Sequence, residues 1–316
     1  MRTIPFPRVH WLRLCTVLVA VAAAANGKPA LRLPQQQGTP VAAQGGMVKL
    51  WVVAFTGSRR LVQDLTQKDF RVFLDNREQP IVYFSPKVVE PLYLGLLIDA
   101  SEYTLDEPDL PDWQPVSQFL RMLLRREDHA FVARFNEKTS LLSDWTGDTV
   151  VLDDALRRAF TTKPQGIGAL SDAVYTVCEE RFSGVTGRKA LIVISNSPDQ
   201  SLDHSAEETL KIADRTNTII YPVLPWARRR RRPLFENLKV AQSLSNETGG
   251  AFYLVLRPKD FDESLMGIGI ALTHLYAIGY VPRDTVQDGR YHTIKVKCVR
   301  RGVKLIVREG YYAPEG

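Results

Sequence analysis

Two hydrophobic patterns divide the chain into a middle part and two flanks. Between residues 89 and 274, continuous apolar runs of strand length alternate with amphipathic runs of helix length. Apolar strands separated by helices are typical of a mostly parallel sheet with helices on both faces. We therefore predict a doubly wound, Rossmann-like α/β domain over residues 89–274. Its strands are predicted at 92–99, 130–135, 189–195, 218–223 and 251–256, and its helices at 116–126, 150–160, 169–182, 206–215, 233–248 and 260–274.

The two flanks carry shorter, alternating runs that are typical of half-buried strands. Residues 47–88 and 275–316 each hold several such runs, and no helical pattern lies among them. Neither flank is long enough to bury a good core by itself. We predict that they combine into one small β-sandwich-like module, into which the α/β domain is inserted. Within the second flank, residues 303–308 are predicted to pair back on residues 291–300.

Residues 1–46 are predicted to lie outside both units. Three arginines and no acid precede or border a short apolar run at 14–25 that ends in small residues, which is typical of a secretory signal peptide at 1–25. The run is short compared with the roughly 20 residues of a membrane span, and an uncleaved anchor is the alternative. Residues 26–46 are rich in Pro, Gln, Gly and Ala and predict a flexible leader. We expect a secreted or periplasmic protein without a transmembrane segment after signal removal.

The positive charge of the chain is concentrated in one segment. The net charge is +6, and it falls to +3 when the three arginines of the signal peptide are removed. Without one further block the remaining chain would be slightly acidic, at −2. That block comprises Arg228, Arg229, Arg230, Arg231 and Arg232. It follows a predicted strand and predicts contact with an acidic partner, whereas the alternative is a solvated loop. Nucleic acid is not expected outside the cell, and Trp226 is the one aromatic residue beside the block.

Enzyme chemistry has little support in the sequence. The chain contains no Gly-x-Ser-x-Gly elbow, phosphate loop or dinucleotide fingerprint. Its histidines after the signal are scattered, without metal-ligand spacing. Cys178 and Cys298 fall on a predicted helix and a late strand, and we predict two free, buried thiols rather than a disulfide.

The candidate chemistry lies where the first strand of the α/β domain ends. An apolar run over residues 92–98 changes abruptly to Asp99, Ser101, Glu102 and Tyr103. A doubly wound sheet places its binding site at the carboxyl ends of its strands. Two further segments are predicted to reach the same edge: the glycine-bearing stretch 165–173, which precedes a helix, and the strand end at 192–197.

These three segments, in this order, resemble a von Willebrand factor type A domain. The two β flanks are similar to the bacterial "VWFA-related" secreted family known mainly from Acidobacteria; the resemblance lies at residues 68–72, 290–297, 302–304 and 310–314 and covers residues 47–314. It implies an adhesive or scaffolding protein. It also implies a metal-ion-dependent adhesion site, built from an Asp-x-Ser-x-Ser motif, a Thr and a second Asp.

The chain keeps only part of that metal motif. Asp99 and Ser101 match it, whereas Tyr103, Gly168 and Asn196 stand where the second Ser, the Thr and the second Asp are expected. One carboxylate and one hydroxyl are a poor set for Mg²⁺, which demands near-ideal octahedral oxygen coordination. We therefore expect a degenerate site in which Asp99 and Ser101 tie loops together and Asp172 caps a helix. The acids at 102, 106, 107 and 109 offer an alternative, looser Ca²⁺ site.

Three functions follow, in decreasing order of support. The first is a secreted, non-enzymatic binding or scaffolding protein that has no cofactor and binds a protein or an acidic extracellular ligand. The second is an adhesin that binds Mg²⁺ or Ca²⁺ through Asp99, Ser101 and Asn196. The third is an extracytoplasmic hydrolase. In the first, the partner is expected to contact Glu102, Tyr103, Arg228, Arg229, Arg230, Arg231 and Arg232.

Overall fold

The computed structural model describes residues 46–102, 112–225, 235–283 and 288–313, and the side chains of 235–238 are not described. The elements are numbered in chain order. They are β1 Val48–Thr56, β2 Phe70–Leu74, β3 Arg77–Gln79, β4 Ile81–Ser85, β5 Leu92–Asp99, α1 Gln114–Leu123, β6 His129–Phe135, β7 Thr139–Thr146, α2 Thr149–Thr161, α3 Leu170–Val177, β8 Arg188–Ile194, α4 Ala206–Arg215, β9 Thr218–Pro225, α5 Phe235–Thr248, β10 Tyr253–Val255, α6 Pro258–Thr273, β11 Tyr276–Tyr280, β12 Tyr291–Cys298, β13 Val303–Ile306 and β14 Gly310–Tyr312. A short π-helical turn, Cys178–Phe182, continues α3.

The central sheet has six strands in the order β10-β9-β8-β5-β6-β7. All neighbours pair in parallel except β6 and β7, which are antiparallel. The predicted α/β class, with a mostly parallel sheet, is therefore confirmed. β5 lies between β8 and β6, and its side chains alternate between two cores because both faces of the sheet are covered.

The packing around β5 explains why the strand contains a glycine. A Cβ on Gly95 would lie 2.6 Å from Cζ of Phe131 and 2.7 Å from Cδ1 of Leu191, so only a glycine lets these two neighbouring side chains close over the strand. The start of β5 is fixed by Asp128, which is buried and accepts a hydrogen bond from the Leu92 amide at 2.7 Å. These contacts set the position of the opposite end of β5, where Asp99 lies.

The β module is built from both ends of the chain, as predicted. One sheet has the order β13-β1-β11-β4 and the other β14-β12-β2-β3. The two sheets share a buried core to which β1 contributes Val48, Leu50 and Val52. The alternate residues Trp51 and Val53 belong instead to the core of the α/β domain. β1 is buried on both faces because it lies between the two units.

One predicted pairing is wrong. The strand at 303–308 was expected to pair with 291–300, but β13 pairs antiparallel with β1. Instead, β12 pairs with β14 through residues 291–293 and with β2 through residues 294–298. The chain therefore turns at Gly302, whose φ of 78° suits a glycine, and crosses to the other sheet.

Cys178 and Cys298 are both free. Cys178 is buried, and this burial raises the pKa of its thiol to about 12. Cys298 is only half-buried, so the prediction of two free, buried thiols holds fully for Cys178 alone. Within the described residues, no helix has the length and apolarity needed to span a membrane.

Candidate functional site

Asp99 is the last residue of β5 and connects two loops at the carboxyl end of the sheet. Its Oδ1 accepts a hydrogen bond from the Ser101 amide at 2.8 Å. Its Oδ2 accepts hydrogen bonds from the hydroxyl of Ser197, at 2.8 Å, and from the hydroxyl of Ser195. All four residues are fully buried. Ser195 and Ser197 follow β8, the neighbour of β5, so Asp99 joins the ends of two adjacent strands.

The importance of these two serines was missed in the sequence. The signal that could have found them is a Ser-x-Ser pattern directly after a strand that lies beside β5. Because parallel neighbours end at the same edge of a sheet, hydroxyls at this point reach the carboxylate at the end of β5. The predicted ligand position Asn196 lies between the two serines and is half-buried.

The loop after β5 also pairs with the glycine-bearing loop before α3. The Gln165 amide donates to the Ala100 carbonyl at 3.1 Å, and the Glu102 amide donates to the Gly166 carbonyl at 3.3 Å. The Glu102 side chain is exposed. The Ser101 hydroxyl is buried and has no hydrogen-bond partner in the described part of the chain. Tyr103 and the five arginines at 228–232, which were predicted to contact a partner, lie outside the described residues.

Asp199, not Asp172, caps the start of α3. Asp199 Oδ1 accepts a hydrogen bond from the Leu170 amide at 3.0 Å, and Asp199 Oδ2 accepts one from the Ser171 hydroxyl at 2.6 Å. The expectation that Asp172 performs this role is wrong. The reason is that the loop after β8 brings a carboxylate from outside the helix to its free amides. Asp199 also accepts hydrogen bonds from the amide and the hydroxyl of Ser201.

Asp172 instead holds the far side of the same loop. Its carboxylate accepts hydrogen bonds from the amides of Leu202, at 3.0 Å, Asp203, at 3.2 Å, and His204, at 2.6 Å. Nδ1 of His204 lies 3.2 Å from the same carboxylate, and the His204 ring stacks on Tyr175 with ring centroids 3.7 Å apart. The loop between β8 and α4 is thus fixed by two carboxylates that flank it.

The side chains around Asp99 that could bind a metal ion are mostly neutral hydroxyls. Asp99 supplies one carboxylate, and Ser101, Ser195 and Ser197 supply hydroxyls, whereas Gly168 directs its carbonyl to the Gln200 amide at 2.8 Å. Both oxygens of the Asp99 carboxylate accept hydrogen bonds from the protein. Among the residues that the structure describes, no group of three or more His, Cys, Asp or Glu side chains is arranged to hold a metal ion.

The four histidines that the structure describes form hydrogen bonds with carboxylates, backbone carbonyls and one threonine hydroxyl. His204 meets Asp172, and His292 lies between Asp75 and Asp288. His129 meets a backbone carbonyl, and His274 meets a carbonyl and the hydroxyl of its neighbour Thr273. No hydrogen bond between a histidine ring and a serine or cysteine side chain is present within the described ranges.

No family model matches this chain, and no curated protein matches it. Several solved structures are similar to it. BatB from Bacteroides thetaiotaomicron is 16% identical over 56% of this chain and 98% of its own, with a TM-score of 0.43. The vWF domain of the type V pili tip protein Mfa5 from Porphyromonas gingivalis is 11% identical over 58% and 96%, with a TM-score of 0.42. The SpRpn10 VWA domain is 14% identical over 56% and 94%, with a TM-score of 0.42. The fold assignment rests on the strand order of the chain itself.

Proposed function

We propose that this chain is a secreted, non-enzymatic protein that binds a protein partner or an acidic extracellular ligand through the rim at the carboxyl ends of β5, β8 and β9. The observation that carries the proposal is the way the rim is built. Its loops are held by Asp99, Asp172 and Asp199, which accept hydrogen bonds from backbone amides and hydroxyls. A surface that is fixed before binding loses less conformational entropy when a partner docks. Secretion rests on the signal-like segment at 1–25, which lies outside the described residues.

In this proposal the site around Asp99 is degenerate and works without a metal ion. Three hydrogen bonds already satisfy the Asp99 carboxylate, two of them on Oδ2. A cation at this point would have to displace hydroxyl donors, and Gly168 contributes no side-chain oxygen in return. A single carboxylate gives Mg²⁺ a poor ligand set. Asp99 then acts as a structural brace that keeps two loops together.

The proposed partner contacts are Glu102 and Tyr103, which follow β5 in the sequence, together with the five arginines at 228–232. Glu102 is exposed at the rim. The arginine block follows β9, which pairs with β8 in the sheet. Five like charges in succession along the sequence are a strong attractor for carboxylates and other anionic groups, and this attraction weakens as salt rises.

The test replaces all five arginines at 228–232 with serine. The immobilised wild-type chain and the variant are compared for what they retain from the extracellular fraction of the source cells. We expect the variant to lose the retained partner. A control variant, Arg301→Ser with Lys304→Ser, removes two exposed charges from the β module and is expected to bind like the wild type. Equal retention by the five-serine variant would refute the role of the block.

A second candidate, the Mg²⁺- or Ca²⁺-dependent adhesin, has one observation in its favour. The Ser101 hydroxyl is buried beside Asp99 and lacks a hydrogen-bond partner within the described residues. A metal ion would provide that partner. Calorimetric titration of the chain with Mg²⁺ and with Ca²⁺ separates the two candidates. A binding heat that disappears in Ser101→Ala supports the adhesin, whereas no heat with either ion removes it.

A further inference from the structure

The most exposed large hydrophobic side chain in the described part of the chain belongs to Leu202, at 91%. It lies at the rim, in the loop between β8 and α4. A single exposed leucine is ordinary on a protein surface. Leu202 differs in that hydrogen bonds hold the backbone around it in one conformation.

Hydrogen bonds to one carboxylate fix the backbone of the Leu202 loop at three successive residues. The amides of Leu202, Asp203 and His204 all donate to the carboxylate of Asp172. Three successive amides that point at one anion form a nest, here with the anion supplied by the protein itself. Each such bond is charge-assisted and therefore stronger than a bond between neutral groups.

Both ends of this loop are anchored as well. On one side, the Ser201 hydroxyl donates to Asp199 at 2.6 Å and accepts from the Asp172 amide at 3.1 Å. On the other, Ser205 and Glu208 form a reciprocal capping box that starts α4. The loop therefore holds its shape without burying Leu202, so its order is not explained by packing of that side chain.

Three acidic residues follow Leu202 closely in the sequence. Asp203, Glu207 and Glu208 are all exposed. Hydrogen bonds from Ser205 lower the pKa of the Glu208 carboxyl. Glu207 is paired with Lys211 at 2.8 Å along the helix. A complementary surface would offer an apolar cleft for the leucine and cationic side chains around that cleft.

We infer that Leu202 is an anchor residue of the rim, which inserts into an apolar cleft of a protein partner whose border carries lysine or arginine. The inference rests on the proposed function, because it adds a second contact on the same rim: a cationic part of the protein partner, separate from the anionic groups proposed for residues 228–232. A small number of residues that become fully desolvated carry most of the binding energy in protein interfaces. The nest supplies the rigidity, since the entropy of ordering the loop is lost on folding and not on binding.

The test uses a disulfide-constrained random peptide library displayed on phage and selected against the immobilised full chain. Selected peptides are synthesised, and their affinities are measured for the wild type, for Leu202→Ser and for Val150→Ser. Val150 is a matched control because it is 74% exposed and lies in the first turn of α2, which follows the antiparallel strand β7 and so starts at the opposite edge of the sheet. We expect peptides rich in Lys or Arg and apolar residues, weakened roughly tenfold or more by Leu202→Ser and unchanged by Val150→Ser.

A second variant, Asp172→Asn, tests the nest while Leu202 stays in place. It is expected to weaken the same peptides by less than Leu202→Ser does, because the leucine is present but less well held. Affinity equal to that of the wild type would overturn the role of the nest. Unfolding temperatures of all variants, followed by circular dichroism, show that each is folded.

The outcomes separate this inference from the proposed function. Peptides that are lost when residues 228–232 are replaced by serine, but keep their affinity for Leu202→Ser, overturn the inference and leave the proposed function standing. Peptides that are unaffected by both changes count against both. A library that yields no binder also overturns the inference, because a preformed apolar anchor selects ligands from such libraries.

Discussion

Carboxylates do different work at the rim of the α/β domain and at its joint with the β module. At the rim, Asp99 and Asp172 accept hydrogen bonds from backbone amides and, for Asp99, serine hydroxyls. At the joint, Asp214 in α4 is buried against the guanidinium of Arg308, which follows β13. The first arrangement fixes the shape of loops within one domain, and the second holds two parts of the molecule together.

The difference teaches where each region is vulnerable. Hydroxyl and amide donors stay in place over the whole range of pH in which the carboxylate is ionised, so the rim keeps its shape without a counter-charge. A buried ion pair depends on both of its members, because the loss of one leaves the other charge without compensation. We therefore expect substitutions at the joint to lower the free energy of unfolding most, and substitutions at the rim to lower it less.

The largest effect is expected for Arg308→Ala. Arg308 donates to Asp214 and, through Nε, to the Gly310 carbonyl at 2.7 Å, while Asp214 also accepts from the Tyr312 amide. Burial raises the pKa of the Asp214 carboxyl, and the charge of Arg308 opposes that rise. Leaving this carboxylate buried and unpaired lowers the free energy of unfolding by about 3–5 kcal/mol. Urea denaturation at neutral pH measures the loss.

Two controls sharpen this prediction. Arg301→Ala removes an exposed charge and is expected to change the unfolding free energy by less than about 0.5 kcal/mol. In Arg308→Ala the loss is expected to shrink as the pH falls, because a protonated Asp214 is easier to bury. A loss that is independent of pH would show that its cause is the lost packing of Arg308 and not the unpaired charge of the buried Asp214 carboxylate.

A smaller effect is expected for Asp99→Ala. The change removes the acceptor of the Ser101 amide and of the hydroxyls of Ser195 and Ser197, all of which are buried. Because three buried donors lose this acceptor, the free energy of unfolding should fall by about 3 kcal/mol. Ser197→Ala removes a single bond and should cost about 1 kcal/mol. Equal losses in the two variants would contradict the role of Asp99 as the common brace.

The β module supplies a still smaller, pH-dependent effect at His292. Its Nδ1 lies 2.7 Å from Asp75 and its Nε2 lies 3.2 Å from Asp288, so both ring nitrogens donate when the ring is protonated. Burial lowers the pKa of His292, but hydrogen bonds to Asp75 and then to Asp288 raise it more, and the net pKa lies above the ordinary 6.5. Burial raises the pKa of Asp75, but its hydrogen bonds to His292 and Thr293 lower it by more, so the net pKa lies below the ordinary 3.8.

The directions of these two pKa shifts determine the pH range in which each contributes to stability. A raised histidine pKa contributes stability that is fully present below about 6.5 and is lost as the pH rises through the folded pKa. A lowered aspartate pKa contributes stability that is present above about 4 and is lost as the pH falls through its folded pKa. The wild type should therefore become less stable as the pH rises from 6.5 to 8, and His292→Gln should not show this slope. Unfolding temperatures of both proteins across this range measure the difference.

The sequence predicted the framework of the molecule better than its polar contacts. The runs at 92–99 and 206–215 predicted β5 and α4 with the bounds that the structure has, because strands and helices leave a local period of apolar residues. The bond between Asp99 and Ser197, and the pair of Asp214 and Arg308, join residues more than 90 positions apart. Such bonds leave no local period, which is why the capping role was assigned to Asp172 instead of Asp199.

The smallest effect on stability is expected for Leu202→Ser. Leu202 is 91% exposed, so folding removes almost none of its side-chain area from water. The hydrogen bond from the Leu202 amide to Asp172 involves only the backbone of residue 202 and survives the substitution. The unfolding free energy should therefore stay within about 0.5 kcal/mol of the wild-type value, as measured by urea denaturation. A larger loss would mean that Leu202 packs within the molecule, and the contrast between a rim that is fixed by carboxylates and an anchor that is free to bind would no longer hold.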